Sequence, residues 1–390
     1  MLNCFWWLLK IYHQSGVIMR IILTILLIGC FLISANPLPL HAQATVVGSV
    51  IDSTNGIVLG GVNVFLSGTK IGTATNSRGH YKLQRIPQGG YRLVVSIIGY
   101  KKAVKKIVIG GGEIQTFDFK LEPIIYEMPE IYVGNLDKKW KKNLRNFRNY
   151  FIGETKWADS VKILNPEVLR FDKNWWGRFK AEALAPLKIE NRALGYSITY
   201  YMREFHHGGS RTRWDGDPLF AEMTPVDSSQ AAYWRRNRRK AFYGSLRHFM
   251  LSLLQDQVKE QGFIIYRIRQ DIYGYSPRNQ SRTTADRIIK KGNEKYTHRM
   301  NFVGRLKIIY THEDEDPNYL LWSHSFQRGP ASVQTSYLEL NEHPITIDVN
   351  GEILEPYGAT QFGYFAFQRL ANLTPEGYRP EGYRQTADMK

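Results

Sequence analysis

The chain has 390 residues, more than one small domain needs and enough for two. Hydrophobic residues make up 43% and charged residues 22%, which excludes wholesale disorder. The formal net charge of +17 suits an anionic counter-surface but speaks to solubility and steering, not to fold. The 9 Trp and 23 Tyr suit β-rich packing and contact surfaces for sugars or proteins.

Residues 1–44 read as an export signal peptide. Arg20 supplies the positive charge, and the apolar run Ile21 to Ile33 is too short to span a bilayer. Ala42-Gln43-Ala44 fits the small-x-small rule, with cleavage expected after Ala44. Met19 is an alternative start to Met1. Leu27-Ile28-Gly29-Cys30 resembles a lipoprotein box, so a lipid anchor through Cys30 is the alternative to plain secretion. Both cysteines, Cys4 and Cys30, lie in this stretch. The mature chain then has no disulfide, no cysteine catalysis and no thiolate zinc site. For an exported protein, envelope proteins, glycans or anionic lipid surfaces are the expected partners, not nucleic acid. The alternative is a charge that only keeps the protein soluble. No transmembrane segment is expected in the mature chain.

Residues 45–123 alternate in the manner of strands. Val62, Val64 and Leu66 sit two apart, as do Tyr81 and Leu83, and Tyr91, Leu93 and Val95. Ser67-Gly68-Thr69 and Pro87-Gln88-Gly89-Gly90 are turns. Asn76-Ser77-Arg78-Gly79 is a hairpin signal, with Gly79 free to take positive φ. Ile107 to Ile109 and Phe117 to Leu121 supply the last strands. Seven short strands predict an antiparallel β-sandwich.

The series Gly48-x-Val50-x-Asp52, Gly61-Val62-Asn63-Val64, Gly68-Thr69, Gly72-Thr73-x-Thr75, Gly79-x-Tyr81-x-Leu83, Ile86-Pro87-x-Gly89 and Ser96-x-Ile98-Gly99-Tyr100 resembles the carboxypeptidase-regulatory-like domain. It departs from that pattern at Val58-Leu59, often Pro-Leu, and at Asn76, usually Asp; Asn serves a turn as Asp does. The resemblance implies a transthyretin-like sandwich, an exported protein of Bacteroidetes, and a role in adhesion or interaction without catalytic residues.

Residues 124–137 read as a linker. An α+β domain is expected over 138–378, and a frayed tail over 379–390. Lys138 to Phe151 is a basic amphipathic helix with Trp140, Leu144, Phe147 and Phe151 on one face. Lys138, Lys139, Lys141 and Lys142 on its other face are candidate anionic-surface contacts. Tyr196 to Tyr201 is a strand. Trp175-Trp176, His206-His207-Gly208-Gly209 and Trp214-Asp215-Gly216-Asp217 read as loops. Ser229 to Val258 is helical and interrupted at Gly244, with Ser245 as an N-cap and Gly262 as the terminal glycine. Its cluster Arg235, Arg236, Arg238 and Arg239 is a second candidate anionic contact. Strands are expected at Phe263 to Ile268, Arg305 to Tyr310, Tyr319 to Ser323, Val333 to Leu340 and Ile345 to Val349, with a hairpin turn at Asn350-Gly351. Phe242 to Phe249, Asn165-Pro166-Glu167 and the segment Gly363 to Tyr378 resemble the partner region of Bacteroidetes exported proteins that begin with the same sandwich. That resemblance implies architecture and address, and no chemistry.

Metal and enzyme signatures are weak. His312-Glu313-Asp314-Glu315 has the His-x-x-Glu spacing of a metallocarboxypeptidase, but no third His follows at the required distance, and the acidic run reads as a solvated turn. His206-His207 is a paired-His signal without context. No nucleophile elbow, His-Glu-x-x-His helix or phosphate loop occurs. The sequence therefore predicts a mainly β protein, with a sandwich followed by an α+β region containing an antiparallel sheet and one or two packed helices. The expected function is a non-catalytic interaction or scaffold role in the periplasm or at the outer membrane, with no cofactor. The alternative is an envelope hydrolase with a site in residues 150–350.

Overall fold

The computed structural model describes residues 43–124, 138–174, 177–209, 211–271 and 274–383. Met1, Met19, Cys30, Trp175-Trp176 and most of the expected linker lie outside these residues. The unit from Gln43 onward is mainly β.

The first region holds β1 (Ala44–Asp52), β2 (Asn63–Leu66), β3 (Gly72–Ala74), β4 (His80–Ile86), β5 (Gly89–Ser96), β6 (Ala103–Ile109), β7 (Ile114–Thr116) and β8 (Phe119–Leu121). One sheet runs β4-β1-β7 with β8 also on β1; the other runs β3-β2-β5-β6. Val46, Val50, Val64, Leu66, Leu83, Leu93 and Val95 meet between them, as the two-residue alternation predicts. There are eight strands where seven are expected, because Ile114–Thr116 forms a strand ahead of the expected last run and Phe117-Asp118 separates these two halves of the edge. Both halves pair parallel to β1, since the chain arrives from the opposite sheet. The Asn76–Gly79 turn is not a hairpin. It carries the chain from β3 in one sheet to β4 in the other, with Asn76 Oδ1 accepting from the Arg78 and His80 amides. Ala44, the expected last residue of the leader, is fully buried in β1 opposite Ile86.

The second region opens with α1 (Lys138–Phe151), then β9 (Val161–Ile163), β10 (Leu169–Lys173), β11 (Phe179–Ala183), β12 (Leu187–Asn191), β13 (Tyr196–Gly208) and β14 (Arg211–Glu222). The strands form one sheet ordered β10-β11-β13-β12-β9, with β14 on β13. The apolar face of α1 covers it: Phe147 meets Phe205 edge-on at 4.8 Å and Phe151 meets Tyr200 at 5.0 Å. His206 to Gly208 and Trp214 to Asp217 are ladder residues rather than loops. Their turn-like composition yields to the long β13–β14 pairing, and Gly216 is small because a Cβ there would sit 2.5 Å from the Tyr200 ring.

Two helices follow, α2 (Ser228–Phe242) and α3 (Leu246–Leu254). Asp227 caps α2 by accepting from the Gln230 amide, and Ser245 caps α3 by accepting from the His248 amide. The chain breaks between them at Gly244, which has φ +71°. Helix α3 ends at Leu254, so Val258 lies beyond it and Gly262 turns the chain into the next strand instead of closing the helix.

The remainder contains β15 (Phe263–Asp271), β16 (Gly274–Arg282), β17 (Ile289–Lys291), β18 (Thr297–Met300), β19 (Arg305–Tyr310), α4 (Tyr319–Trp322), β20 (Gln334–Leu340), β21 (Ile345–Asp348), β22 (Ala359–Gly363) and α5 (Tyr364–Phe367). It makes a five-stranded sheet, β16-β15-β19-β20-β22, and a three-stranded one, β17-β18-β21. Phe249, Met250 and Leu253 of α3 pack on both. Tyr319 to Ser323 is a helical turn, not a strand, because that places Tyr319 and Trp322 together on Tyr364 and Phe367. The Asn350-Gly351 turn forms as expected, bridging Ile347 and Ile353, with Asp348 Oδ1 accepting from the Asn350 and Glu352 amides. Residues 379–383, expected as frayed, are packed: Tyr383 lies 5.1 Å from Phe242 and Arg379 donates to the Glu376 and Tyr378 carbonyls.

His248 is a buried polar point inside α3. Its Nδ1 accepts from the Gly244 amide at 3.1 Å and Nε2 faces Gln261 Oε1 at 3.0 Å, so the neutral ring is fully paired. Burial pulls it down to about 4. Between about pH 6.5 and 4 the unfolded chain binds the proton that the folded one refuses, so this group's contribution falls as pH falls. We expect the stability difference between wild type and His248→Gln to shrink across that window in denaturant titrations. A constant difference contradicts the assignment.

Candidate functional site

The two regions are joined by polar contacts around Asp217, which is 0% exposed on β14. Its carboxylate accepts from Arg92 Nε at 3.1 Å and Lys102 Nζ at 2.9 Å, both from the sandwich, and Arg203 stands at 3.9 Å. Burial alone would raise Asp217; Lys102, Arg92 and Arg203 instead hold it below the usual carboxylate range. Burial also pulls Lys102 below its ordinary range, so the net stabilisation lies with the anion ringed by cations. Beside this pair, Phe65 and Val94 turn their side chains outward from the sandwich onto Tyr201 and Leu219. Backbone bonds add register: Gly68 donates to Pro218 O, Phe220 to Thr69 O, and Glu376 to Gly68 O.

This junction opens into two adjoining cavities of about 300 and 170 Å³. They share Trp214, Arg247, Glu352, Leu373 and Thr374. The larger extends along Glu355, Gln361, Gln368, Arg369 and Asn372; the smaller reaches Arg92, Asp215 and Glu376. The capped start of α3 positions Arg247, which pairs with Glu352 and donates to the Thr374 and Pro375 carbonyls at 2.9 Å each. The wall bearing Glu355 is held from β13 and β14, where Glu204 accepts from Tyr357 and Arg213 lies 4.5 Å over the Tyr357 ring. Burial, helped by the charge of Glu352, pushes Glu376 well above the ordinary carboxylate range. Burial also raises Asp348 to about 6 against the Glu352 amide bond. Chemically the cleft offers one indole face, amide side chains that both donate and accept, and charged groups of both signs.

Lys138, Lys139, Lys141 and Lys142 are exposed on α1, and Arg235, Arg236 and Arg239 are exposed on α2. Arg238 is a correction. It is 9% exposed and clamps the turn before β13, donating to the Leu194 and Gly195 carbonyls and to Glu222, with its guanidinium 4.1 Å over Tyr196. Arg238 shares the inward face of Trp234, so it is a core residue and not a surface contact.

The acidic run is not a solvated turn. Glu315 and Asp316 are buried: Glu315 takes a two-pronged pair from Arg328, and Asp316 accepts from the Lys156 and Asn318 amides. His312 lies exposed and does not join Glu315 in a ligand set. His206 and His207 are successive strand residues and face opposite ways, one toward Glu204 and the other stacked on Tyr150 at 3.5 Å. Among the described residues no group of three or more His, Asp or Glu side chains could hold a metal ion. Among those residues no helix is long and apolar enough to cross a membrane.

Residues 46–133 match the family model of the CarboxypepD_reg-like domain, and the chain carries that domain there. No curated protein matches the chain. Among solved structures it is similar to catechol 1,2-dioxygenase from Acinetobacter sp. ADP1, with 13% identity over 23% of this chain and 55% of that one, at a TM-score of 0.19. The chain thus spans little more than half the length of that enzyme. A minor pilin of Streptococcus agalactiae shows 17% identity over 22% of this chain and 45% of its own, at 0.18. A Bacteroides uniformis protein named as a candidate carbohydrate binding protein shows 12% identity over 46% and 79%, also at 0.18. Scores this low carry no argument about activity or ligand.

Proposed function

We propose that the protein is a non-catalytic binding protein of the bacterial cell envelope and that its ligand is a glycan held in the Trp214 cleft. The observation that carries this reading is the lining of the larger cavity. Trp214 supplies the apolar face that a sugar ring stacks on, and Gln361, Gln368, Asn372, Glu352 and Glu355 supply paired donors and acceptors for hydroxyls. The envelope address rests on the leader and on the family resemblance of the sandwich. The exposed lysines of α1 fit a supporting contact with an anionic surface. The test is a glycan array probed with the mature protein, followed by calorimetry on the hits. Saturable binding supports the reading; an empty array, with an unrelated envelope protein recovered by pull-down, replaces it with a scaffold.

One observation favours a second reading, an envelope hydrolase. Glu376, whose carboxyl burial pushes well above the ordinary range, and Glu352, ion-paired to Arg247, line the smaller cavity together. Two carboxyls whose surroundings push their proton affinities apart suit the division of labour of a general acid and its partner. Both residues lie after the 150–350 stretch in which such a site is expected. Release of reducing ends from the same glycans, lost in Glu376→Gln, would establish hydrolysis in place of simple binding.

A further inference from the structure

We propose that the glycan bound in the larger cavity carries a single anionic group, a sugar carboxylate, and that Arg369 is the residue that pairs with it. The inference rests on the glycan reading and names the ligand class of the same site. Most arginines around the cleft already have a carboxylate. Arg92 and Arg203 share Asp217, Arg247 has Glu352, and Arg238 has Glu222. Arg369 has none within ion-pairing distance among the described residues. Its Nη1 donates to the Tyr150 carbonyl, its Nε is buried without a partner, and its guanidinium lies 5.0 Å over the Trp214 ring.

A guanidinium set in low dielectric without a counter-charge is costly, and a ligand anion is what offsets that cost. Burial draws Arg369 down to about 10, against the distant pull of the exposed Glu154. At neutral pH the group is still a full cation. The contact with Trp214 and the hydrogen bond to the Tyr150 carbonyl hold the guanidinium before ligand arrives, so little orientation is lost on binding. The same geometry sets the ligand's charge. Glu352 and Glu355 line the same cavity, so a dianionic phosphate meets about twice the repulsion of a single carboxylate beside Arg369.

The test is titration calorimetry with matched pairs: neutral oligosaccharides ending in one galacturonate or one glucuronate residue, each against its methyl ester, which keeps the sugar and removes the charge. We expect at least one acid form to bind about tenfold tighter than its ester, the value of one charge-assisted hydrogen bond. The advantage should shrink as salt rises. Arg369→Gln should bring the ratio of acid to ester affinity to near one. Equal binding of acid and ester by the wild type overturns the inference and leaves the glycan reading standing. Binding of neither by the wild type, with an empty glycan array, removes both. Should Arg369→Gln lose its fold through the missing Tyr150 contact, the wild-type ratio and its salt dependence decide the matter alone.

Discussion

Asp217→Ala is expected to cost about 3–5 kcal/mol of stability, the loss that follows when one member of a buried charge cluster is removed. The reason is asymmetry. Asp217 is 0% exposed, and the Arg92 and Lys102 side chains are only 27% and 21% exposed. Without the carboxylate, Arg92 and Lys102 of the sandwich lose their counter-charge, while Arg203 of β13 keeps Asp215, at a junction that Phe65 and Val94 keep apolar. Because Asp217 sits below its ordinary range when folded, its contribution is complete above about pH 4, the unfolded carboxylate value, and is lost as pH falls further. Denaturant titration followed by both tryptophan fluorescence and far-UV circular dichroism measures this. The gap between wild type and variant should be widest at neutral pH and close in acid. A loss under about 1 kcal/mol, the worth of a surface pair, contradicts the account of the junction.

Trp214→Ala is expected to weaken glycan binding by about 30-fold or more, corresponding to the roughly 2 kcal/mol that marks a hot-spot aromatic. Trp214 lines both cavities and lies under the Arg369 guanidinium, so its removal takes away the stacking face and the support of the cation together. Trp214→Phe keeps part of the face and should retain part of the affinity. Thermal melting of both variants separates loss of binding from loss of fold. Full affinity in a folded Trp214→Ala protein places the ligand elsewhere.

The sandwich was legible because its strands alternate and its turns carry Gly, Asn and Pro at the corners. Two further signals lie in the sequence, one in the sandwich and one in α2. Phe65 and Val94 are apolar at outward positions, where a free-standing sandwich has polar residues, and they mark the face that meets β13 and β14. In α2, Trp234, Asn237, Arg238 and Ala241 fall at helical spacing on one buried stripe, which separates Arg238 from its exposed neighbours Arg235, Arg236 and Arg239. Composition misled at His206-His207-Gly208 and Trp214 to Asp217, where turn-forming residues sit inside a long ladder. Tyr319 to Ser323 shows the limit of short apolar runs: five residues fit a strand or a helical turn, and packing on Tyr364 and Phe367 decides. The cleft had no sequence signature. Its residues run from Ser67 to Glu376 and converge only when the sandwich, the start of α3 and the last turns are in place.

Hydrogen exchange of the protein with and without a bound oligosaccharide from the array tests the cleft as the binding site most directly. Protection is predicted at Trp214 and its neighbours on β14, at the start of α3 around Arg247, and over Gly351 to Ala359 and Gln368 to Thr374. Protection confined to α1 or to the outer faces of the sandwich, with those segments unchanged, would contradict it.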